Sequence, residues 1–506
     1  MGRRGRNDGR RRDAPYRERD RPIINPWNFL LDCKTLCPAE SPVDSSAEAI
    51  QSSIDEVDRL MPTVSEEMWR ADIVLKLRDE YIKICKDQLH TRPRKESFNR
   101  WLFEMVAETP KSSADPVLRC PEVLVSSSVL ETDLYEAFPI PLTTLFDNVG
   151  HLRQFAAEYK KAVSDWTDHG KASEDVPAAL AAMDKTLEPD RPDVTAFVEA
   201  CKTVRATLRP VFDSAMRSIH SHLIQTTEAQ LGTRPQRQEG DSTAAVTITE
   251  GRDDCAVDHG NKRLHIGKLH LSKLKELYTR HCTADPDLVH FNRAVFVLLL
   301  RYNTFFGPSR FQGRAFHAAA PEAVFEHLVT AFGVGMELFA SPTNCYFSHY
   351  CSAFPDIDVF FGSLGSAFDL GITSGSYEAN PPFTLEVMDR TADLVNAQLE
   401  RAEQAGVPLS FVVFVPVWKD PDFPIPHYHQ ALETSKFLRA QNVTPAGDYA
   451  FISGGQFDSR SRYWRCTHAT ATYVLQNEQG KVFGGSDEDV QNKVKEIDQI
   501  LRNQVR

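Results

Sequence analysis

Beyond residue 264 the chain alternates short apolar runs with helix-length amphipathic segments, and this alternation constrains the fold more than any other feature. "VGMELF", "IDVFF", "LSFVVFV" and "ATATYVLQ" have the length and the β-branched or aromatic content of strands. Residues 285–302, 321–332 and 385–405 carry the three- and four-residue apolar spacing of helices. Strands that alternate with helices predict an α/β fold with a mixed, mostly parallel sheet covered on both faces. Ligands of such sheets sit at the carboxyl ends of the strands.

The rest of the chain divides by composition. Residues 1–25 read as a disordered arm, because nine arginines against four acids in the first 21 residues leave nothing apolar to bury. Residues 26–224 read as a mostly helical domain: "SEEMWRADIVLKLRDEYIKICK" spaces Met68, Ile73, Leu75, Leu77, Ile82 and Ile84 mainly by three or four, and "SFNRWLFEMVAE" follows a proline break. Residues 225–263 are rich in polar and turn residues and are expected to form a flexible linker or loop. The α/β domain then covers 264–485, and 486–506 forms a terminal helix or tail.

Several function classes drop out at this level. No run of about 18 apolar residues appears and the amino terminus is polar, so neither a membrane span nor a signal peptide is expected, and the chain is read as intracellular. Ten cysteines lack paired zinc spacing and are expected to be reduced. His427-Tyr428-His429 would put two imidazoles on one face of a strand, but no third ligand stands near in sequence, and no metal is expected. Neither a G-x-S-x-G elbow nor a Walker loop is present. A net charge of −12 argues against indiscriminate coating of nucleic acid, although the Arg-rich arm suits RNA contact, nuclear targeting or solubilisation.

"SYEANPPFTLEVMDRTADLV" (Ser376 to Val395) is the stretch with chemistry in it. Two prolines fix φ, hold Asn380 extended and delay the helix, which is all a turn requires. The same elbow at a strand end also presents the Asn380 side-chain oxygen, the Pro381 carbonyl and the Phe383 ring to one planar amine. An exocyclic adenine amine is a poor nucleophile because its lone pair is delocalised into the ring. Two acceptors aimed at its N–H bonds favour a pyramidal nitrogen, and Phe383 stacks on the base, so catalysis of methyl transfer rests on positioning and charge placement. Thr384 is placed to cap the following helix, Glu386 complements its dipole and Gly406 ends it.

"VFVLLLRYNTFFGPS" (Val295 to Ser309), "ELFASPTNCYFSHYCSAFPDIDVFFGSLGSAFDL" (Glu337 to Leu370), "GSYEANPPF" and "PLSFVVFVPVWK" (Pro408 to Lys419) together resemble the cap-specific adenosine N6-methyltransferase family. The likeness covers most of 264–480 and, more loosely through "KESFNRWL", the helical domain. It implies a helical domain packed on a Rossmann-like methyltransferase domain, S-adenosylmethionine as cofactor, and N6-methylation of the 2′-O-methyladenosine next to the 7-methylguanosine cap of mRNA, in the nucleus. Asn380, Pro381, Pro382 and Phe383 match the family's catalytic motif position by position. Ser341, Pro342 and Asn344 stand at a first cofactor turn, and Gly362, Ser363, Gly365 and Ser366 at a second, beside Asn380 and Pro381. Trp418, Lys419, Asp420 and Pro421 resemble the segment that meets the capped nucleotide, with Arg100 and Arg78 as candidates for the cap phosphates. Arg460, Arg462, Tyr463, Trp464 and Arg465 form a basic and aromatic loop that suits either RNA or a charged hairpin.

Two departures from the family pattern bear on substrate choice. Leu385 stands where family members carry an acid, two places after the motif phenylalanine, which weakens the expectation of cap discrimination relative to methyl transfer. The animal members begin with a WW domain, and Trp27 and Trp69 are too far apart to supply its tryptophan pair, so binding to a phosphorylated polymerase tail is not expected by that route. The alternatives are N6-adenine methylation of other RNA or DNA, methylation of a protein glutamine amide, transfer of a second methyl to the same nitrogen, and a catalytically weak RNA-binding scaffold.

Overall fold

A computed structural model of the chain describes residues 53–89, 93, 97–107, 115–118, 134–135, 138, 152–167, 175–187, 194–236, 245–252, 254–307, 316–418, 425–453 and 463–503. The Arg-rich arm lies outside the described residues. Up to residue 231 the described elements are helices: Ile54–Leu60 (α1), Val64–Leu89 (α2), Ser97–Ala107 (α3), Leu152–Thr167 (α4), Val176–Lys185 (α5), Val194–Thr207 (α6) and Arg209–Leu231 (α7). Ser53 starts α1 by accepting the Glu56 N–H at 3.2 Å. Ile73, Leu77, Tyr81, Cys85 and Leu89 bury one face of α2, which packs on α7.

Strands Thr247–Glu250 (β1), Asp254–His259 (β2) and Lys262–Gly267 (β3) form an antiparallel sheet of three. The segment expected to be a flexible linker, 225–263, therefore holds the last turns of α7 and two strands; within it, 237–244 and 253 are not described. The polar composition concealed a period of two: Cys255 and Val257 point into the core while their neighbours do not.

The remaining elements are Lys268–His281 (α8), Phe291–Phe306 (α9), Glu322–Phe332 (α10), Met336–Ala340 (β4), Tyr350–Ser352 (β5), Pro355–Asp358 (α11), Gly375–Ala379 (β6), Leu385–Ala405 (α12), Leu409–Pro416 (β7), His427–Glu433 (α13), Leu438–Thr444 (β8), Ala450–Ile452 (β9), Tyr463–Arg465 (β10), Thr470–Gln476 (β11), Lys481–Gly484 (α14) and Asp487–Asn503 (α15). Two expectations shift. The helix predicted over 285–302 begins at Phe291, because the Asp285 carboxylate accepts the Val289 and His290 N–H groups and the Tyr278 hydroxyl and so fixes a turn there. "IDVFF" is no strand: Pro355 opens a helical turn and Val359–Phe361 continues as a 3₁₀ turn, which buries the adjacent rings of Phe360 and Phe361 together.

Six strands form the main sheet in the order β5-β4-β6-β7-β11-β8, with β5, β4, β6 and β7 parallel and β11 antiparallel to both its neighbours. This is the expected α/β class with a mixed sheet. From β4 the chain first goes outward to β5 and then returns to the other side of β4 as β6. The order reverses there, and the carboxyl ends of β4 and β6 flank the crevice in which open α/β sheets hold ligands.

One buried apolar cluster joins the helices before residue 231 to β2, β3, α8 and α9; a second lies between the main sheet and α10, α12 and α15. A buried ionic network ties the first cluster to the sheet. Arg301 of α9 donates to Glu67 of α2 at 2.7 Å through Nε and again through a terminal nitrogen, and to Asp356 beyond β5 at 3.0 and 2.9 Å. Arg70 bonds the same Glu67 and, at 2.9 Å, Asp115. Arg70, Arg301 and Glu67 are at most 2% exposed, and each retains compensating charge and bonds, as buried ions must.

Candidate active site

The Asn-Pro-Pro-Phe elbow emerges from the carboxyl end of β6, beside the crevice. Asn380 is 9% exposed and Phe383 7%. Among the described residues nothing bonds the Asn380 side-chain amide. The Pro382 carbonyl is taken by the Thr384 N–H at 2.7 Å, whereas no described backbone N–H reaches the Pro381 carbonyl. An amide oxygen and a carbonyl oxygen thus remain available at the elbow, the two acceptors that a planar amine requires. Thr384 occupies the N-cap position of α12, but its hydroxyl makes no capping bond; the cap there is conformational. Gly406 ends α12 in the left-handed conformation, at φ 68°.

The turn after β4 is held by its own side chains. Ser341 N–H donates to Asn344 Oδ1 at 2.7 Å, the Ser341 hydroxyl donates to the same oxygen at 2.9 Å, and Asn344 N–H and Cys345 N–H return to the Ser341 carbonyl. His317 bonds Ser341 Oγ and stacks on Tyr302 with ring centroids 5.2 Å apart. The Tyr302 hydroxyl in turn donates to Asp358 at 2.6 Å. Ser341 and Asn344 therefore shape the turn, and α9 braces it through His317. Sequence reasoning did not single out His317, which stands far from every motif.

The two glycines of "FGSLGS" serve different ends. Gly362 has φ +98°, and a Cβ there would stand 2.3 Å from the Ser348 carbonyl oxygen and 2.7 Å from the His281 ring. Its smallness is a packing requirement. Gly365, at φ +97°, has nothing within 4 Å of that position, so this part of the loop is sterically open, although its N–H donates to Ser363 Oγ at 3.1 Å and its carbonyl accepts from Ser352 at 2.9 Å. Ser363 bonds Ser352 of β5 at 2.7 Å, and Ser366 Oγ accepts the Phe368 N–H at 3.2 Å.

On the far side of the elbow, the His468 ring meets Phe383 edge-on at 5.3 Å and Trp464 at 5.7 Å. Burial lowers the His468 pKa, so the ring is neutral near pH 7. Trp464 comes from the basic and aromatic segment; of that segment Arg460 and Arg462 lie outside the described residues. Trp418 follows β7 at the same end of the sheet, half-buried, with Tyr428 6.5 Å away; Lys419, Asp420 and Pro421 lie outside the described residues.

The two arginines expected at the cap phosphates differ in setting. Arg78 is 6% exposed, donates to Asn99 at 2.8 Å and to the Thr304 carbonyl at 3.2 Å, and lies over the Phe98 ring. Burial pulls its pKa down to about 10. Through Nη2 it pins α2 to the end of α9, while its Nε and other terminal nitrogen have no hydrogen-bond partner among the described residues. Arg100 is half-buried over Phe316, next to His317, and its helix α3 packs against α12.

His427 and His429 open helix α13, so the strand spacing that suggested a shared face does not apply. His427 pairs with Asp393 at 2.8 Å and His429 with the Tyr473 hydroxyl at 3.0 Å. Among the described residues no group of three or more His, Cys, Asp or Glu side chains is arranged to hold a metal ion. The seven described cysteines are buried and form no disulfide. No described helix is long and apolar enough to cross a membrane. Leu385, at the divergent position, packs against the second core cluster and brings no charge to the elbow.

A family model described as "Phosphorylated CTD interacting factor 1 WW domain" matches residues 273–454, from α8 past β9, a span that includes the crevice and the elbow. The description weighs against the expectation that this chain has no route to a phosphorylated polymerase tail, although the matched residues are those of the α/β elements and contain Trp418 as their one tryptophan. The human protein named mRNA (2'-O-methyladenosine-N(6)-)-methyltransferase is 29% identical over 470 residues, 83% of this chain and 65% of its own length. The mouse protein of the same name is 29% identical over 513 residues, 91% of this chain and 70% of its own. The chain thus spans about two thirds of the length of these curated relatives. Over these spans the chain is similar to the phosphorylated CTD interacting factor 1 family model and to two proteins named mRNA (2'-O-methyladenosine-N(6)-)-methyltransferase.

Proposed function

We propose that this protein methylates N6 of the 2′-O-methyladenosine adjacent to the 7-methylguanosine cap of mRNA, with S-adenosylmethionine as donor. The observation that carries the reading is the position of Asn380-Pro381-Pro382-Phe383 at the carboxyl end of β6, with two acceptor oxygens unengaged among the described residues, at the reversal of strand order. The sheet order, with one antiparallel strand between β7 and β8, supports a Rossmann-like methyltransferase domain, and the helices before residue 231 support a helical domain packed on it.

The residues fit the donor. The space beside the Gly365 α-carbon is open, the turn at Ser341, Pro342 and Asn344 is preformed, and a buried carboxyl oxygen of Glu378 lacks a hydrogen-bond partner among the described residues. These segments, with Gly362, Ser363, Ser366, Asn380 and Pro381, would hold the donor, which supplies an electrophilic methyl group when bound. Asn380 and the Pro381 carbonyl accept the two N–H bonds of the adenine amine, and Phe383, backed by His468, holds the base in plane for in-line attack. Arg100 and Trp418, with Lys419, Asp420 and Pro421, are the candidates for the cap. The substrate and the Arg-rich start favour a nuclear setting.

The test is transfer of labelled methyl to matched RNAs, capped and uncapped, beginning with 2′-O-methyladenosine or guanosine. Label confined to the capped adenosine RNA is the expected result. Equal label on uncapped adenosine RNA would reject the cap-adjacent assignment.

A further inference from the structure

We infer that Glu378, supported by Glu337, forms an anionic floor under Asn380 that selects the positively charged methyl donor over its demethylated, uncharged-sulfur product. The inference rests on the methyl-donor reading above. Strand alternation puts Ser376, Glu378 and Asn380 on one face of β6, so Glu378 stands one strand repeat, about 6.6 Å, below the motif amide. Across the reversal point, Glu337 of β4 is the registered partner of Glu378. Two carboxylates thus lie side by side at the base of the crevice walls, at 2% and 1% exposure.

Their partners are unequal. Glu337 accepts the N–H groups of Tyr346 and, at 3.2 Å, Phe347. Its nearest cation is Lys273 of α8, whose ammonium is bonded to the Cys345 carbonyl. Glu378 has no hydrogen-bond partner for Oε1 among the described residues. Its neighbours in register are Glu337 on one side and the apolar Val412 of β7 on the other. A fully buried acid beside a second acid, without a cation of its own, costs stability that a purely structural role does not explain. A sulfonium delivered to the crevice provides the missing countercharge; the thioether left after transfer does not.

Proton linkage gives this a signature. Burial, and then the Glu337 charge, push the Glu378 pKa upward and favour the protonated carboxyl in the free protein. Arrival of a cation favours the ionised form, and the displaced proton leaves to solvent. Donor binding should therefore release up to about one proton, and product binding fewer.

Titration calorimetry on the full chain with S-adenosylmethionine and S-adenosylhomocysteine, at pH 7 in two buffers of different ionisation enthalpy, tests this with no chemical step involved. The expected result is a larger buffer-dependent heat for the donor than for the product. In Glu378→Gln that difference should vanish, donor affinity should fall at least about tenfold, and product affinity should stay within about threefold. Buffer-independent heats for both ligands in the wild-type protein, a measurement that needs no variant to fold, would overturn the inference. So would an equal loss of donor and product affinity in the variant. Failure of the wild-type protein to bind either ligand would overturn the methyl-donor reading itself, and the inference with it.

Discussion

Replacing Arg301 by leucine should destabilise the protein by about 3–5 kcal/mol. Arg301 makes four charge-assisted bonds, two to Glu67 and two to Asp356, and is 1% exposed. In the wild-type network two guanidiniums, Arg70 and Arg301, face four carboxylates, those of Glu66, Glu67, Asp115 and Asp356, of which Glu66 also pairs with Arg234. The leucine variant leaves Arg70 to serve Glu66, Glu67 and Asp115, and leaves Asp356 without the Arg301 pair. Asp356 is 30% exposed and recovers part of its hydration, but Glu67 is 1% exposed and keeps only Arg70, so most of the loss stands. Denaturant unfolding measures it. Adding Glu67→Leu should cost less than the sum of the two single changes, because the acid stranded by the first change is then removed. A single-variant loss below about 1 kcal/mol would refute the claim that this network clamps the helices onto the sheet.

Three further outcomes are expected. Burial pushes the Asp358 carboxyl up to about 7 against the opposing hydroxyl of Tyr302, and a native pKa above the unfolded one means that the folded state binds the extra proton. Its contribution is thus intact below about pH 4 and is lost as pH rises toward 7, by at most about 1.4 kcal/mol per unit. Unfolding curves from pH 4 to 7 should fall less steeply for Asp358→Asn than for the wild type; parallel curves would reject the assignment. Gly362→Ala and Gly365→Ala both impose a positive φ on alanine, at about 1–3 kcal/mol each, but only Gly362 adds collisions with Ser348 and His281. Denaturation should find Gly362→Ala the worse of the two, and equal losses would contradict the packing role. His317→Ala should weaken donor binding several-fold in calorimetry while leaving the Asn380 elbow in place, because the ring braces the Ser341 turn; unchanged affinity would remove that bracing role.

The elbow was legible because its chemistry is local: two prolines, a strand before and a helix after identify a rigid turn without tertiary information. The strands "LSFVVFV" and "ATATYVLQ" were legible because strands buried on both faces read as continuous apolar runs. "IDVFF" has the same composition and failed because Pro355 and two buried adjacent rings favour a tight turn, which periodicity over five residues cannot distinguish. The setting of Arg78 was not legible: a sequence shows that an arginine lies on a helix, but only packing shows that one of its terminal nitrogens meets Asn99 and Thr304. Glu378 carried a signal that went unread: an acid inside a buried strand, two places before the motif, is an unfavourable residue that calls for a reason.

The most direct test of the central claim is nucleoside mass spectrometry of RNA bearing a 7-methylguanosine cap and a first 2′-O-methyladenosine, after incubation with S-adenosylmethionine and either wild-type protein or Asn380→Ala. The account predicts N6,2′-O-dimethyladenosine from the wild type and a yield lower by on the order of 10²–10³ from a folded variant. Equal yields from the two proteins, or a methyl group at any position other than N6, would contradict it.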